Sequence, residues 1–120
     1  MPLTMNKIER FNTNARMSQL VIANGFAFVS GQVPDHAGAP IAQQAAEVLA
    51  KIDAQLQAQG IGRERIVSAN VWLSSPEHFA AFNAVWEAWL PAGHAPTRAC
   101  VQALLMLPGL DVEVAVVAAV

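Results

Sequence analysis

Short apolar runs bounded by turn residues open the chain, give way to a three-to-four-residue periodicity, and return near its end. Leu20-Val21-Ile22-Ala23 and Phe26-Ala27-Phe28-Val29 flank Asn24-Gly25. Two β-prone runs around Asn-Gly predict a hairpin, because both central residues of a type I′ turn need positive φ. The second strand continues to Ser30-Gly31-Gln32, where a glycine permits close approach of backbone or ligand. An irregular stretch follows from Pro34 to Pro40. Ile41, Ala45, Val48, Leu49, Ile52 and Leu56 then fall on one helical stripe, which predicts a helix over 41–59 stopped by Gly60.

From Ile66 to Leu73 the pattern alternates. Val67, Ala69, Val71 and Leu73 are expected to face the helices, with Ser68, Asn70 and Trp72 on the other side. Ser75-Pro76-Glu77 supplies an N-cap, a first-position proline and a first-turn acid. Phe79, Phe82, Val85, Trp86, Trp89 and Leu90 mark the buried side of the second helix, which Pro91-Ala92-Gly93 ends. Apolar runs at 98–105 and 112–120, separated by Pro108-Gly109, predict two closing strands. The order is strand, strand, strand, helix, strand, helix, strand, strand. This is an α+β pattern: a mixed sheet with both helices on one face, in one domain spanning 1–120.

Composition changes the picture at the surface. Hydrophobic residues make up 54% of the chain and charged residues 13%, against about 25% charged in ordinary soluble proteins. Apolar surface facing another subunit is the expectation; a compact monomer with an alanine-rich skin is the alternative. The formal net charge of −2 comes with no basic run. Neither nucleic acid nor a membrane surface is therefore an expected partner. The single cysteine, Cys100, excludes an intramolecular disulfide and a Cys-based zinc cluster, and fits a reducing, cytoplasmic setting. Met1 to Arg10 has no apolar core of the kind a signal peptide carries. His36, His78 and His94 lie far apart with no ligand spacing, so no metal site is expected.

Chemistry concentrates in two isolated charges. Between Glu87 and Asp111 the only permanently charged side chain is Arg98, at the opening of an apolar strand. A guanidinium there needs an anion, and its planar fork suits a carboxylate. The anion is either a ligand or a structural partner such as Asp111, Glu113 or a helix C-terminus. Glu113 is the acidic counterpart, inside Val112-Glu113-Val114-Ala115-Val116. Burial would disfavour its charge and suit it to proton transfer; it could equally neutralise Arg98 or point outward. A simple hairpin about Pro108-Gly109 would set Arg98 opposite the chain end, so the two would meet only by strand tilt or across a subunit boundary. Cys100 leaves the strand on the same face as Arg98 and reads as inert packing. Asn83, on the apolar stripe of the second helix, must find a partner, either a backbone carbonyl or a ligand.

On these residues the chain resembles the reactive intermediate deaminase (RidA, or YjgF) family. Ser30-Gly31-Gln32-Val33-Pro34 resembles that family's strand-end motif. Phe79-Ala80-Ala81-Phe82-Asn83 and Trp86-Glu87-Ala88-Trp89 resemble its second helix. Ala95-Pro96-Thr97-Arg98-Ala99-Cys100-Val101 resembles its signature segment, and Val112-Glu113-Val114 its last strand. The likeness runs from Gln19 to the C-terminus. It implies a chorismate-mutase-like fold assembled as a trimeric barrel, with ligand clefts between subunits. It also implies hydrolysis of 2-imino acids to 2-keto acids and ammonia, without metal or cofactor, as a form of metabolite damage control. A non-catalytic module binding small keto or amino acids in the same cleft is the alternative. By resemblance Arg98 clamps the substrate carboxylate and Glu113 positions and activates water. Gly31 supplies a backbone contact, and Asn83 and Cys100 line the cleft. Met17 stands where archetypal members carry a tyrosine, which resembles the divergent YoaB-type branch.

Overall fold

The computed structural model describes residues 5–120. Strands β1 (Ile8–Thr13), β2 (Ser18–Ala23), β3 (Phe26–Gln32), β4 (Ile66–Leu73), β5 (Thr97–Gln102) and β6 (Val112–Ala119) form one sheet, in the order β1-β2-β3-β6-β4-β5. All neighbours are antiparallel except β4 and β5, which run parallel. Helices α1 (Ile41–Gln57) and α2 (Phe79–Trp89) pack on each other and share one apolar core with the sheet. The sheet is mixed and the helices cover one face, as the pattern of positions predicts.

The hairpin forms where Asn-Gly requires it: Asn24 and Gly25 have φ of 52° and 81°, and Ala23 pairs with Phe26. Helix α1 buries Ala45, Val48, Leu49, Ile52 and Leu56 against the sheet. It ends at Gln57, two residues short of the expected limit; Gly60 then adopts a φ of 72° while its N–H reaches the carbonyl of Gln57 at 2.9 Å. A left-handed residue just past a helix satisfies its last carbonyls in this way.

Five expectations need correcting. In β4 the register shifts between Ile66 and Ser68, so Ile66 is buried and Val67 exposed. A bulge moves a side chain to the other face. In α2, Phe82 and Trp86 are buried and Val85, Trp89 and Leu90 pack at the core's margin, but Phe79 is 47% exposed. Ser75 does cap Glu77, but over a short 3-10 turn (Pro76–His78) that precedes the helix proper. Strand β5 ends at Gln102 rather than Leu105, and β6 ends at Ala119. Finally, β5 and β6 are not a hairpin. After the α2 crossover β5 pairs with β4 on the sheet's outer edge, so β4 lies between the last two strands.

Gln44 sits fully buried near the start of α1. Its amide nitrogen donates to the carbonyls of Ala39 and Gly109 at 2.9 and 3.0 Å, and its oxygen accepts from the Asp111 N–H at 2.8 Å. It thereby ties the helix to the segment entering β6, satisfying backbone groups that burial would otherwise strand. Among the described residues no helix is long and apolar enough to cross a membrane.

Candidate active site

Arg98 enters β5 opposite Ala69, whose side chain is buried under the helices, so the guanidinium points to the helix side of the sheet. There it meets α2. Its carbon lies 5.9 Å from the ring centroids of Phe79 and Phe82 and 5.7 Å from that of Trp86. One nitrogen donates to Asn83 Oδ1 at 2.9 Å. Among the described residues no carboxylate lies within ion-pair distance of it. Three aromatic faces and one amide hold the cation, each cation–π contact worth about 0.5–2 kcal/mol. Most of its donors stay free for a planar anion. Asn83 therefore finds neither a backbone carbonyl nor a free position: its partner is Arg98.

Cys100 faces Val71 and leaves β5 on the same side as Arg98, as its phase predicts. Burial pushes its thiol up from 9.0, with the Arg98 charge acting the other way. It stays protonated at neutral pH and behaves as a small apolar group.

Glu113 lies on the other face. Val112, Val114, Val116 and Ala118 are the buried set of β6, and Glu113 pairs with Trp72 on the side away from the helices. Gly31 sits directly beneath its carboxylate: a Cβ added at Gly31 would come within 2.9 Å of the Glu113 carboxyl carbon. The register of β3 on β6 shifts between Val29 and Gln32, which brings Gly31 there. Glu113 also borders a hollow of about 250 Å³ shared with Trp72, Ala103, Leu104 and Met106. Gly31 further lines a groove of about 460 Å³ with Met17, Gln19, Gln32 and Lys51. Met17 is 41% exposed there and carries no hydroxyl.

The six residues therefore fall into two groups. Arg98, Asn83 and Cys100 gather at the β5 edge against α2; Glu113 and Gly31 meet over β3 and β6, and Met17 shares with Gly31 a separate groove against α1. Arg98 and Glu113 leave opposite faces of the sheet and do not meet within one chain. Phe79 is a contact that pattern-reading assigns to the core. Its signal is positional: it is the first residue of α2, where a side chain can overhang the sheet edge. Among the described residues no three His, Cys, Asp or Glu side chains come together as metal ligands would.

A mixed six-stranded sheet with two helices, a carboxylate-ready arginine at one edge and an acid over a glycine define a small α+β domain of the YjgF type. A family model described as Endoribonuclease L-PSP matches residues 7–120, and the chain belongs to this YjgF/RidA family. It is 44% identical over 113 residues to the RutC family protein YoaB of Escherichia coli (strain K12), covering 94% of this chain and 98% of that protein. A RutC family protein of Haemophilus influenzae is 34% identical over 112 residues, covering 92% and 97%. Among solved structures, a YjgF family member from Neisseria meningitidis superposes with a TM-score of 0.90 at 40% identity, covering 94% of each chain.

Proposed function

We propose that the chain hydrolyses small 2-imino acids to 2-keto acids and ammonia, in a cleft that two neighbouring copies complete within a homotrimer. The observation that carries this reading is the state of Arg98: a cation fixed on three aromatic rings, with no carboxylate partner among the described residues. Such a group is pre-organised for an anionic ligand that arrives from outside. The substrate carboxylate takes the fork of Arg98, which converts an encounter into an oriented complex. Glu113 of the adjoining copy accepts a proton from water as the oxygen attacks the imine carbon. The resulting carbinolamine collapses to the carbonyl as the proton held by Glu113 passes to nitrogen, which departs as ammonia, and the hydroxyl proton is released to solvent. Gly31 leaves the room that the Glu113 carboxylate occupies. No cofactor is called for: a protonated imine is already a good electrophile. The service is the removal of reactive imines in the cytoplasm.

A second reading has one observation in its favour. Met17 offers no hydroxyl to orient a substrate, and the chain contains no tyrosine at all. A module that only binds keto acids would still use Arg98. The family model's description mentions an endoribonuclease, but a net charge of −2 gives little phosphate-neutralising capacity. The test is keto-acid formation from freshly generated 2-iminopropionate and 2-iminobutyrate, comparing wild type with Arg98→Ala. Acceleration by the wild type and its loss in a folded Arg98→Ala protein is the expected result. Equal acceleration by both proteins would overturn the mechanism; saturable keto-acid binding without ammonia release would establish the sensing module.

A further inference from the structure

A cavity of about 260 Å³ is walled by Leu73, Pro76, Phe79, Cys100 and Val101; Arg98 does not line it, but two of its walls, Phe79 and Cys100, neighbour that residue. Its placement follows from two residues already described. Cys100 stands two positions beyond Arg98 on the same face of β5, about 7 Å along the strand. The Phe79 ring takes the guanidinium within 5.9 Å and also forms a wall of the cavity. That shared position accounts for its exposure: it lies between anchor and cavity instead of in the core. The two polar side chains on the rim each already make one bond, with the Ser75 hydroxyl proton and the Gln102 amide oxygen left over. Ser75 accepts the N–H of Glu77 at 3.2 Å, and the amide of Gln102 donates to the carbonyl of Ser74 at 3.5 Å. What remains toward the interior is hydrocarbon, one aromatic ring and a neutral thiol.

We propose that this cavity is the side-chain subsite of the Arg98 cleft and selects 2-imino and 2-keto acids with unbranched or branched aliphatic side chains, from propyl to isobutyl, over those derived from alanine. The inference rests on the reading of Arg98 as a carboxylate anchor. With the carboxylate on the guanidinium, the adjoining carbon lies over β5 and its substituent runs past Cys100 into the cavity. A methyl group leaves most of that volume empty. Each further methylene buried there tightens binding about fourfold. A side chain ending in a second carboxylate has no cation to meet among the cavity's walls and is rejected.

Calorimetric titration with pyruvate, 2-oxobutanoate, 2-oxopentanoate, 4-methyl-2-oxopentanoate and 2-oxoglutarate tests this whether or not the chain turns over imines. Kd is expected to fall about fourfold per added methylene through the aliphatic series. 2-Oxoglutarate is expected to bind more weakly than 2-oxopentanoate. Cys100→Phe, on the face of β5 that walls the cavity, is expected to flatten the gradient by filling it. Its folding is checked by circular dichroism, and the wild-type series stands without it. Binding with no chain-length gradient, or a gradient that a folded Cys100→Phe protein keeps, removes the subsite and leaves the anchor intact. No binding of any keto acid removes both.

Discussion

At the residue scale, the proposed chemistry rests on side chains held in restrictive surroundings. Arg98 is the clearest: it was legible in the sequence as the lone permanent charge of a long apolar segment, and the structure adds why it stays unpaired, since α2 offers it rings and one amide instead of a carboxylate. Glu113 was legible for the same reason; Gly31 was legible as a point of close approach, but not that the Glu113 carboxylate is what approaches it. The pairing depends on a register shift between two strands far apart in sequence, and alternation of apolar residues carries no sign of it. Gly31→Ala is a sharp probe, because the added carbon would crowd the Glu113 carboxyl and force it aside. Displacing a reacting group by about 1 Å costs roughly 100-fold in rate. A fall in kcat of at least tenfold, with the circular dichroism spectrum unchanged, is the expected outcome; undiminished turnover would separate Glu113 from the chemistry.

At the scale of elements, the helices and strands were readable wherever local periodicity decides them and opaque where pairing does. The hairpin at Asn24-Gly25, the span of β4 and the stripe of α1 each follow from spacing and turn chemistry. That β4 would insert between β5 and β6 does not, because strand order is settled by the α2 crossover and by burial on the helix face. Gln44 shows the same limit: it is a polar residue three positions after Ile41, and its buried bonds to Gly109 and Asp111 join segments more than sixty residues apart. The stretch from Pro34 to Pro40 looks irregular in sequence but is tethered. Glu47 accepts from the N–H groups of Asp35 and His36 at 3.1 Å and from the His36 ring at 2.7 Å.

Hydrogen bonding from Gln43 and His36, against an opposing cost of burial, lowers the Glu47 carboxyl from 4.5 to about 2. A carboxyl depressed in the folded state stabilises fully above its unfolded value, and that contribution is lost as pH falls through the folded one. The gap in Tm between wild type and Glu47→Gln is therefore expected to be constant above pH 4.5 and to close as pH falls toward 2. A gap independent of pH across that window would show that the tether does not depend on the charge.

At the scale of the whole molecule, the fold is a slab of 57 × 37 × 23 Å. Its radius of gyration is 15.2 Å, against about 13–14 Å for a compact domain of this length. The helices cover one face; the other carries Phe26 and Phe28, and the segment after β5 carries Leu104 at 87% and Met106 at 92% exposure. The shortage of charge visible in the composition thus has a location, and apolar surface of this kind is what an assembly would cover. The division of the site has the same implication. Arg98 and Glu113 leave opposite faces of one sheet, so a centre using both needs a second copy.

Mixing two inactive variants tests that claim directly. Arg98→Ala and Glu113→Gln, co-expressed with different tags and purified as mixed oligomers, are assayed for keto-acid formation from 2-iminobutyrate. In a randomly mixed trimer about one cleft in four combines an intact Arg98 from one copy with an intact Glu113 from its neighbour. Recovery of about a quarter of wild-type turnover is the predicted result; mixed oligomers as inactive as either parent, beside an active wild type, would contradict it.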